Sequence, residues 1–445
     1  DVSGDTVLNR EGEAPNAELV KDIHFPVHCK LALYPLGEAQ YIDEIAKVWY
    51  MAQDEGLNPK TIHYATRIDG DVQDVFTYLN TLPQKMVVVI DEYPYLKAMN
   101  ESATVDSIFQ SIIDNRIANI ALIISGSHIG MMKETLQEKN ALYGRFTATI
   151  KLNELSYLDA AKFYPDKPPY EKAAHFAVFG GSPFVNQMLC PTATLRENII
   201  HTILNPVSPV YLYASQLLLS DYAVKINAER IFAVLGNSKK RYTEIEDKLD
   251  AKKTGNLAKQ MKPLIDLEII TRNNPINKLG DNKQSGFELN DNLLRFYFTF
   301  LYKNASALQM LGAEAFYNEY IAPVLTEFIS RRFEGICRDY FSLQVRAGKR
   351  RGVRNIGSYY YDDPVHRKNG EFDVVLEYAD GYEIYEAKYY AQPMTLDEIH
   401  REVRQVEAIR ELKVKQLGFI AINGFAEEES PYTYLNGKDI YAEES

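Results

Sequence analysis

A short stretch near the C-terminal end of the chain carries three side chains that could do chemistry. Glu386 and Lys388 stand two residues apart in YEIYEAKYY, and Asp373 precedes them in NGEFDVVLEY. Side chains on a β-strand alternate with a period of two, so Glu386 and Lys388 should share one face of a strand. The Asp380-Gly381 pair between the two apolar runs predicts a hairpin that brings Asp373 close to that face.

The chemistry that suits these residue types is metal-dependent hydrolysis of a phosphodiester. Carboxylate oxygens are the ligands that Mg²⁺ and Mn²⁺ prefer, so Asp373 and Glu386 are candidate metal ligands. Such a metal lowers the pKa of a bound water and offsets charge on a phosphate. Lys388 would orient or deprotonate that water and stabilise negative charge in the transition state.

This Asp…Glu-x-Lys arrangement resembles the PD-(D/E)xK, or restriction-endonuclease-like, nucleases. The resemblance implies that Asp373, Glu386 and Lys388 are catalytic and that Glu334, in the helical stretch ISRRFEGICRDYF, adds a third metal ligand. It also implies that Gln405 is the polar residue that some of these sites have on the helix after the Glu-x-Lys strand. The alternative is a nuclease fold kept for binding or structure, in which Glu386 and Lys388 form a solvated pair that contributes under about 1 kcal/mol.

A second set of candidate residues follows the apolar run KMVVVIDEYPYL. A buried strand that ends in Asp91 and Glu92 has the Walker B pattern. Asp91 would hold Mg²⁺, and Glu92 would polarise the water that attacks a γ-phosphate. Ser125 and Ser127, at the end of the next apolar run, are candidates for contact with that phosphate.

The segment ALYGRFTATIKLNELSYLDAAKFY carries a further resemblance. From roughly residue 60 to residue 425 the chain resembles prokaryotic AAA-type ATPases with a nuclease-like C-terminal domain of unknown function. The resemblance implies a homo-oligomer, ATP as a ligand, and contact between Arg145 and phosphate. A structural salt bridge is the alternative role for Arg145.

The glycine-rich phosphate-binding loop of such ATPases is missing from the sequence. No G-x-x-x-x-G-K-[ST] occurs, and the expected position reads LALYPLGEAQYIDE. Either the loop lies upstream of this chain or the site has decayed. We therefore expect poor ATP hydrolysis or none.

The elements around these residues predict an α/β protein with several domains, as its 445 residues suggest. The predicted domains are an AAA-like nucleotide-binding domain with a doubly wound parallel sheet (1–150), a helical lid-like subdomain (151–224), a winged helix (225–300) and a C-terminal α/β restriction-endonuclease-like domain (310–445).

Local basic segments predict contact with DNA, although the net charge of −12 disfavours binding by the whole surface. One segment is RAGKRRGVRNIG, and the other is the third helix of the predicted winged helix. The candidate residues are Lys349, Arg350, Arg351, Arg354, Lys259 and Lys262. The alternatives are an exposed basic loop without a partner and a winged helix that serves only for packing.

Composition restricts the setting in which the protein works. Hydrophobic residues make up 46% and charged residues 25%, as in soluble globular proteins, and no apolar run has membrane-spanning length. Three widely spaced cysteines and the lack of a signal peptide predict a cytoplasmic protein without a membrane partner.

Taken together, these motifs predict an ATPase-like protein with a C-terminal Mg²⁺-dependent DNA nuclease. The alternatives are a nucleotide-regulated DNA-binding or signalling protein with an inactive nuclease fold, and a degenerate interaction scaffold.

Overall fold

The structure, a computed structural model, divides into two compact units, Asp1–Leu152 and Asn153–Ser445. It describes residues 30–35, 63–65, 72–81, 86–99, 102–115, 120–126, 129–216, 228–250, 257–281, 283–363, 368–409 and 412–442. The predicted phosphate contact Ser127 lies outside these ranges. Among the described helices, none combines the length and the apolarity that crossing a bilayer would require.

The first unit contains a four-stranded sheet with the order β2–β1–β3–β4. Its strands are β1 (Lys30–Pro35), β2 (His63–Ala65), β3 (Met86–Asp91) and β4 (Ile120–Ile124), and its helices are α1 (Val72–Thr81), α2 (Tyr93–Met99), α3 (Ser102–Asn115) and α4 (Ile129–Thr135). Strands β3 and β4 are parallel because α2 and α3 provide the crossover between them. Val88 and Ile90 of β3 pack with Phe109 of α3 in the core of this unit.

Strand β1 runs antiparallel to both β2 and β3. The described sheet is therefore mixed, which differs from the parallel sheet that the sequence pattern predicts. The physical reason is that an apolar run indicates a buried strand without fixing its direction. Direction depends on the connections between strands, and only β3 and β4 are joined by described helices and pair in parallel.

The second unit begins with a helical layer. Its helices are α5 (Tyr157–Ala161), α6 (Pro169–Phe179), α7 (Pro183–Gln187), α8 (Leu195–Asn198, extended by a π-helical turn over Ile199–Ile203) and α9 (Pro209–Gln216). Proline at the first position of α6 has no N–H of its own that would need a partner, and Gly180, with φ at 70°, ends the helix. The layer shares one hydrophobic core with α15, the longest of the described helices, whose range is given below.

A small module follows, which we define as residues 228–290. Its elements are α10 (Glu229–Leu235), β5 (Lys240–Arg241), α11 (Tyr242–Lys248), α12 (Leu257–Asp266), β6 (Ile270–Asn273) and β7 (Gly286–Leu289). Strand β7 lies between β5 and β6 and is antiparallel to both. Leu257, Met261 and Leu264 recur at helical spacing in α12 and are buried in the module core.

The C-terminal part contains a five-stranded sheet with helices on both faces. Before it stand α13 (Asn292–Phe296, extended by a π-helical turn over Tyr297–Leu301), α14 (Ala305–Phe316, extended by a π-helical turn over Tyr317–Ile321) and α15 (Leu325–Arg346). The remaining elements are β8 (Asn355–Asp363), β9 (Lys368–Glu377), β10 (Tyr382–Lys388), α16 (Leu396–Glu407), β11 (Val414–Ala421), β12 (Thr433–Asn436) and α17 (Gly437–Ile440).

The five strands lie in the order β12–β11–β10–β9–β8. Strands β8, β9 and β10 are antiparallel neighbours, whereas β10, β11 and β12 are parallel. The alternation along β10 separates two cores. Tyr385 and Tyr389 pack in the core that contains α15, and Ile384 packs in the core that contains α16.

Candidate active site

The hairpin of β9 and β10 brings Asp373 and Glu386 together. Val375 pairs with Ile384, and both side chains lie in the core on the α16 side of the sheet. Pairing ends at Val374 with Tyr385, so the next position in each strand is Asp373 and Glu386. These two carboxylates therefore stand at adjacent positions, at the point where the strands stop pairing, and the charge of Asp373 adds to burial in raising the pKa of Glu386.

A β-bulge in β9 marks the position of Asp373. Gly357 of β8 pairs with Val375, but Tyr359 pairs with Phe372, so β9 has one more residue than β8 between these pairs. The backbone carbonyl of Asp373 accepts a hydrogen bond of 2.7 Å from Nη1 of Arg338 on α15. Arg338 therefore satisfies a backbone group at the bulge and ties α15 to this part of the strand.

Lys388 lies between two carboxylates. Its ammonium pairs with Glu386 and lies 3.3 Å from Oε1 of Glu402 on α16. These three side chains are only 17 to 22% exposed, so they do not form the solvated surface pair considered as an alternative. Burial acts to lower the pKa of Lys388, but the two carboxylates raise it above its usual range, so the amine is an ammonium ion at neutral pH.

Glu402 was not among the residues predicted from the sequence. A signal was available, because Glu402 follows Ile399 by three residues and precedes Val406 by four. It is therefore a carboxylate within the apolar stripe that α16 turns towards the sheet.

Glu334 of α15 belongs to the same electrostatic cluster. Burial, with the negative charges of Asp373 and Glu386, raises the pKa of Glu334 to about 8. Burial also raises the pKa values of Asp373 and Glu386, although Arg338 opposes the shift at Asp373 and Lys388 opposes it at Glu386. The predicted Glu334, Asp373, Glu386 and Lys388 are thus close enough to influence one another's ionisation.

The carboxylate oxygens of this cluster suit a hard cation such as Mg²⁺, but the side chains are not arranged around one ion position. Carboxylates that repel one another in a partly buried site are what Mg²⁺ or Mn²⁺ would neutralise. Within the described ranges, no three His, Cys, Asp or Glu side chains are grouped as ligands of one ion. In this arrangement Glu386 is paired with Lys388.

Tyr361 of β8 and Gln405 of α16 close one side of the cluster. Nε2 of Gln405 donates a hydrogen bond of 2.6 Å to the Tyr361 hydroxyl. Glu386, Glu402 and Asp373 all add to the effect of burial in raising the pKa of Tyr361. The ring fits because residue 370 is glycine, where a Cβ atom would lie 2.2 Å from the tyrosine oxygen.

The Walker B-like residues meet at the ends of β3 and β4. The hydroxyl of Ser125 donates a hydrogen bond of 2.6 Å to Oδ1 of Asp91. Glu92, directly after β3, has a left-handed backbone with φ at 54°. Arg145 forms a bidentate pair with Asp114 in the same unit, at 2.9 and 2.8 Å, which is the structural salt bridge considered for it.

The basic loop that follows α15 is divided between exposed and internal side chains. Lys349, Arg351 and Arg354 are exposed. Arg350 is not presented to solvent as the DNA-contact prediction requires, because it pairs with Glu383 and stacks 4.7 Å from the ring centre of Phe341.

Helix α12 of the small module retains its two predicted DNA-contact residues on the surface. Lys259 and Lys262 are exposed on the side opposite the buried stripe.

Two family models match parts of the chain. A family described as archaeal and bacterial proteins of unknown function matches residues 297–403, which include all four predicted residues of the carboxylate cluster. The YKOF-related family matches residues 26–93. The second match covers the segment in which the AAA-like interpretation expects its first strand and phosphate-binding loop.

Two relatives match different lengths of the chain. An uncharacterized protein of Methanocaldococcus jannaschii is 28% identical over 319 residues, covering 68% of this chain and 69% of the relative. A putative HMP/thiamine-binding protein, YkoF, of Bacillus subtilis is 33% identical over 82 residues, covering 18% of this chain and 41% of that protein.

Two solved structures are similar at low scores. A protein from Vibrio cholerae is 9% identical, covering 77% of this chain and 86% of that one, with a TM-score of 0.22. Can2 from Sulfobacillus thermosulfidooxidans, solved with cyclic tetra-adenylate, is 10% identical, covering 83% and 90%, with a TM-score of 0.19. Scores this low do not bear on the fold. The chain is a mixed α/β protein with several modules.

Proposed function

We propose that residues 310–445 form a Mg²⁺- or Mn²⁺-dependent deoxyribonuclease domain of the PD-(D/E)xK type. The observation that supports this most is that Asp373 and Glu386 occupy the next position of each strand where β9 and β10 stop pairing, and that Lys388 pairs with Glu386. The order of one helix, three antiparallel strands, one helix and a parallel strand is the order such a nuclease needs.

Each residue of the cluster has a distinct role in this proposal. Asp373, Glu386 and Glu334 would hold the metal, which when bound activates water and offsets charge on the scissile phosphate. Lys388 stabilises the negative charge that develops on the phosphoryl oxygens. Glu402 would keep the ammonium of Lys388 in position when Glu386 binds the metal ion.

The first unit would bind a nucleotide rather than hydrolyse it efficiently. Asp91, Glu92 and Ser125 would face the phosphates of ATP, but the sequence has no glycine-rich loop with Lys and Ser or Thr to hold them.

We further propose that residues 225–300 act as a winged helix and that the protein is a cytoplasmic homo-oligomer, as its AAA-type resemblance implies. Exposed Lys349, Arg351, Arg354, Lys259 and Lys262 would contact DNA phosphates.

The test is cleavage of labelled single- and double-stranded DNA by the purified chain with Mg²⁺ or Mn²⁺. Asp373→Ala and Lys388→Ala should abolish cleavage. Asp380→Ala and Lys415→Ala are matched controls, because these residues form an ion pair of 2.7 Å on the same sheet, away from the cluster. A wild-type chain that cleaves neither DNA with either metal contradicts the proposal.

A second candidate function is DNA binding by an inactive nuclease fold. The observation that favours it is that the described carboxylates are not grouped as ligands of one ion. Salt-dependent binding of DNA without cleavage would support this alternative.

A further inference from the structure

We propose that Lys239, which belongs to the small module, is a substrate-binding residue of the carboxylate site and contacts a backbone phosphate of DNA. This inference rests on the function proposed for residues 310–445. It adds a cation that comes from outside those residues and that the sequence motifs do not indicate.

Lys239 reaches the strand that carries Asp373. Its Nζ lies 2.7 Å from Oε1 of Glu371, which precedes Asp373 by two residues on β9. Ser358 of β8 donates to the same oxygen. The positive charge of Lys239 also acts on Asp373 and favours its ionised form. The ammonium group is therefore at the edge of the site.

The path of the Lys239 side chain depends on a glycine. Its methylene groups pass over Gly286 of β7, where an added Cβ atom would lie 2.4 Å from Cδ of Lys239. Any larger residue at position 286 would displace the lysine stem. The module thus has space for this side chain to extend towards β9.

Fixed contacts dock the small module on β8. Nδ2 of Asn277 donates 2.7 Å to the carbonyl of Tyr360, and the Tyr360 N–H donates 3.0 Å to Oδ1 of Asn277. Ile276 is buried in the core between the sheet and α16. The loop between β6 and β7 is thus packed against the sheet, which places Lys239 reproducibly beside the site.

The ammonium group of Lys239 is better suited to binding a phosphate than to stabilising the fold alone. It carries three donors, and its ion pair with Glu371 is partly solvated, with the two side chains 35% and 25% exposed. Pairs with this exposure contribute little to folding. A phosphodiester approaching Asp373 would meet carboxylates first, so a cation at the edge of the site favours its approach.

The experiment compares Lys239→Met with wild type in binding a fluorescein-labelled DNA duplex, with Ca²⁺ replacing Mg²⁺. Anisotropy is measured over a series of salt concentrations. We expect Kd to rise by about 5- to 20-fold, and the slope of log K against log salt to fall by about one. Lys239→Arg should keep most of the binding, because it keeps the charge.

Lys415→Met is the matched control. Lys415 is also 35% exposed and also forms a 2.7 Å ion pair, with Asp380, but it lies away from the carboxylate cluster. This variant should bind DNA with the wild-type slope. Urea midpoints of both variants should stay close to the wild-type value.

The outcomes separate this inference from the proposed function. If wild type cleaves DNA and Lys239→Met binds with the wild-type slope, Lys239 is not a phosphate contact and only this inference is overturned. If wild type binds but does not cleave, the slope still decides the role of Lys239. If wild type binds no duplex, both fail. A loss of binding in Lys239→Met that Lys239→Arg does not restore also overturns the inference.

Discussion

Replacing Glu334 with Gln should stabilise the folded chain at alkaline pH. The pKa of Glu334 is raised from its usual value of 4.5 to about 8 by burial and by the charges of Asp373 and Glu386. Below pH 4.5 both folded and unfolded states hold the proton, so the carboxyl group does not affect stability. Between these values the unfolded state is ionised and the folded state is protonated, so stability falls as pH rises.

The magnitude follows from the size of the shift. One pKa unit corresponds to 1.36 kcal/mol, so a shift from 4.5 to about 8 costs the folded state about 5 kcal/mol once Glu334 is ionised. The neutral amide of Gln has a similar shape and carries no charge. Glu334→Gln should therefore gain about 3 to 5 kcal/mol over wild type at pH 9 and almost nothing at pH 4.5.

The assay is urea unfolding of both chains at several pH values, followed by near-ultraviolet circular dichroism. The difference in unfolding free energy should increase by about 1.4 kcal/mol per pH unit across this window. Glu327→Gln is the control, because Glu327 lies on the same helix with its side chain 63% exposed. A difference that stays constant with pH, or that decreases as pH rises, refutes the electrostatic account of Glu334.

Two further predictions concern buried ionisable groups elsewhere in the second unit. Burial lowers the pKa of His175 from 6.5 to about 4, so the unfolded state takes up the proton first as pH falls. Wild type should lose about 3 kcal/mol between pH 6.5 and 4, and urea midpoints of His175→Gln should lack most of this decline. Glu288 forms an ion pair with Arg295, with 2.9 Å between Oε2 and Nη1, and it also lies near the charge of Arg332. Glu288→Gln should cost about 3 to 5 kcal/mol in thermal unfolding, because both buried guanidinium groups lose their counter-charge; a change under about 1 kcal/mol contradicts this.

Asp373, Glu386 and Lys388 could be proposed as one site from the sequence because the signals that relate them are local. Alternation places Glu386 and Lys388 on one face, and the Asp380-Gly381 turn sets the hairpin that carries Asp373 to them. Glu334 came from a resemblance, since a helix and a strand far apart in sequence have no periodic relation.

Contacts between distant segments could not be predicted in this way. Whether Arg350 faces solvent depends on Glu383 and Phe341, which a basic run does not reveal. Lys239 approaches β9 only because the loop after β6 docks on β8. Strand direction in the first unit was missed for a similar reason, since apolar content is the same for either direction.

The bulge makes β9 a strand that belongs to two registers. Val375 to Glu377 pair with β8 in one register, whereas Phe372 and the residues before it pair with β8 in a register shifted by one residue. Asp373 stands at this boundary. Its place in the site therefore depends on the number of residues in the strand. Over evolutionary time, this segment should accept changes of side chain more readily than insertions or deletions.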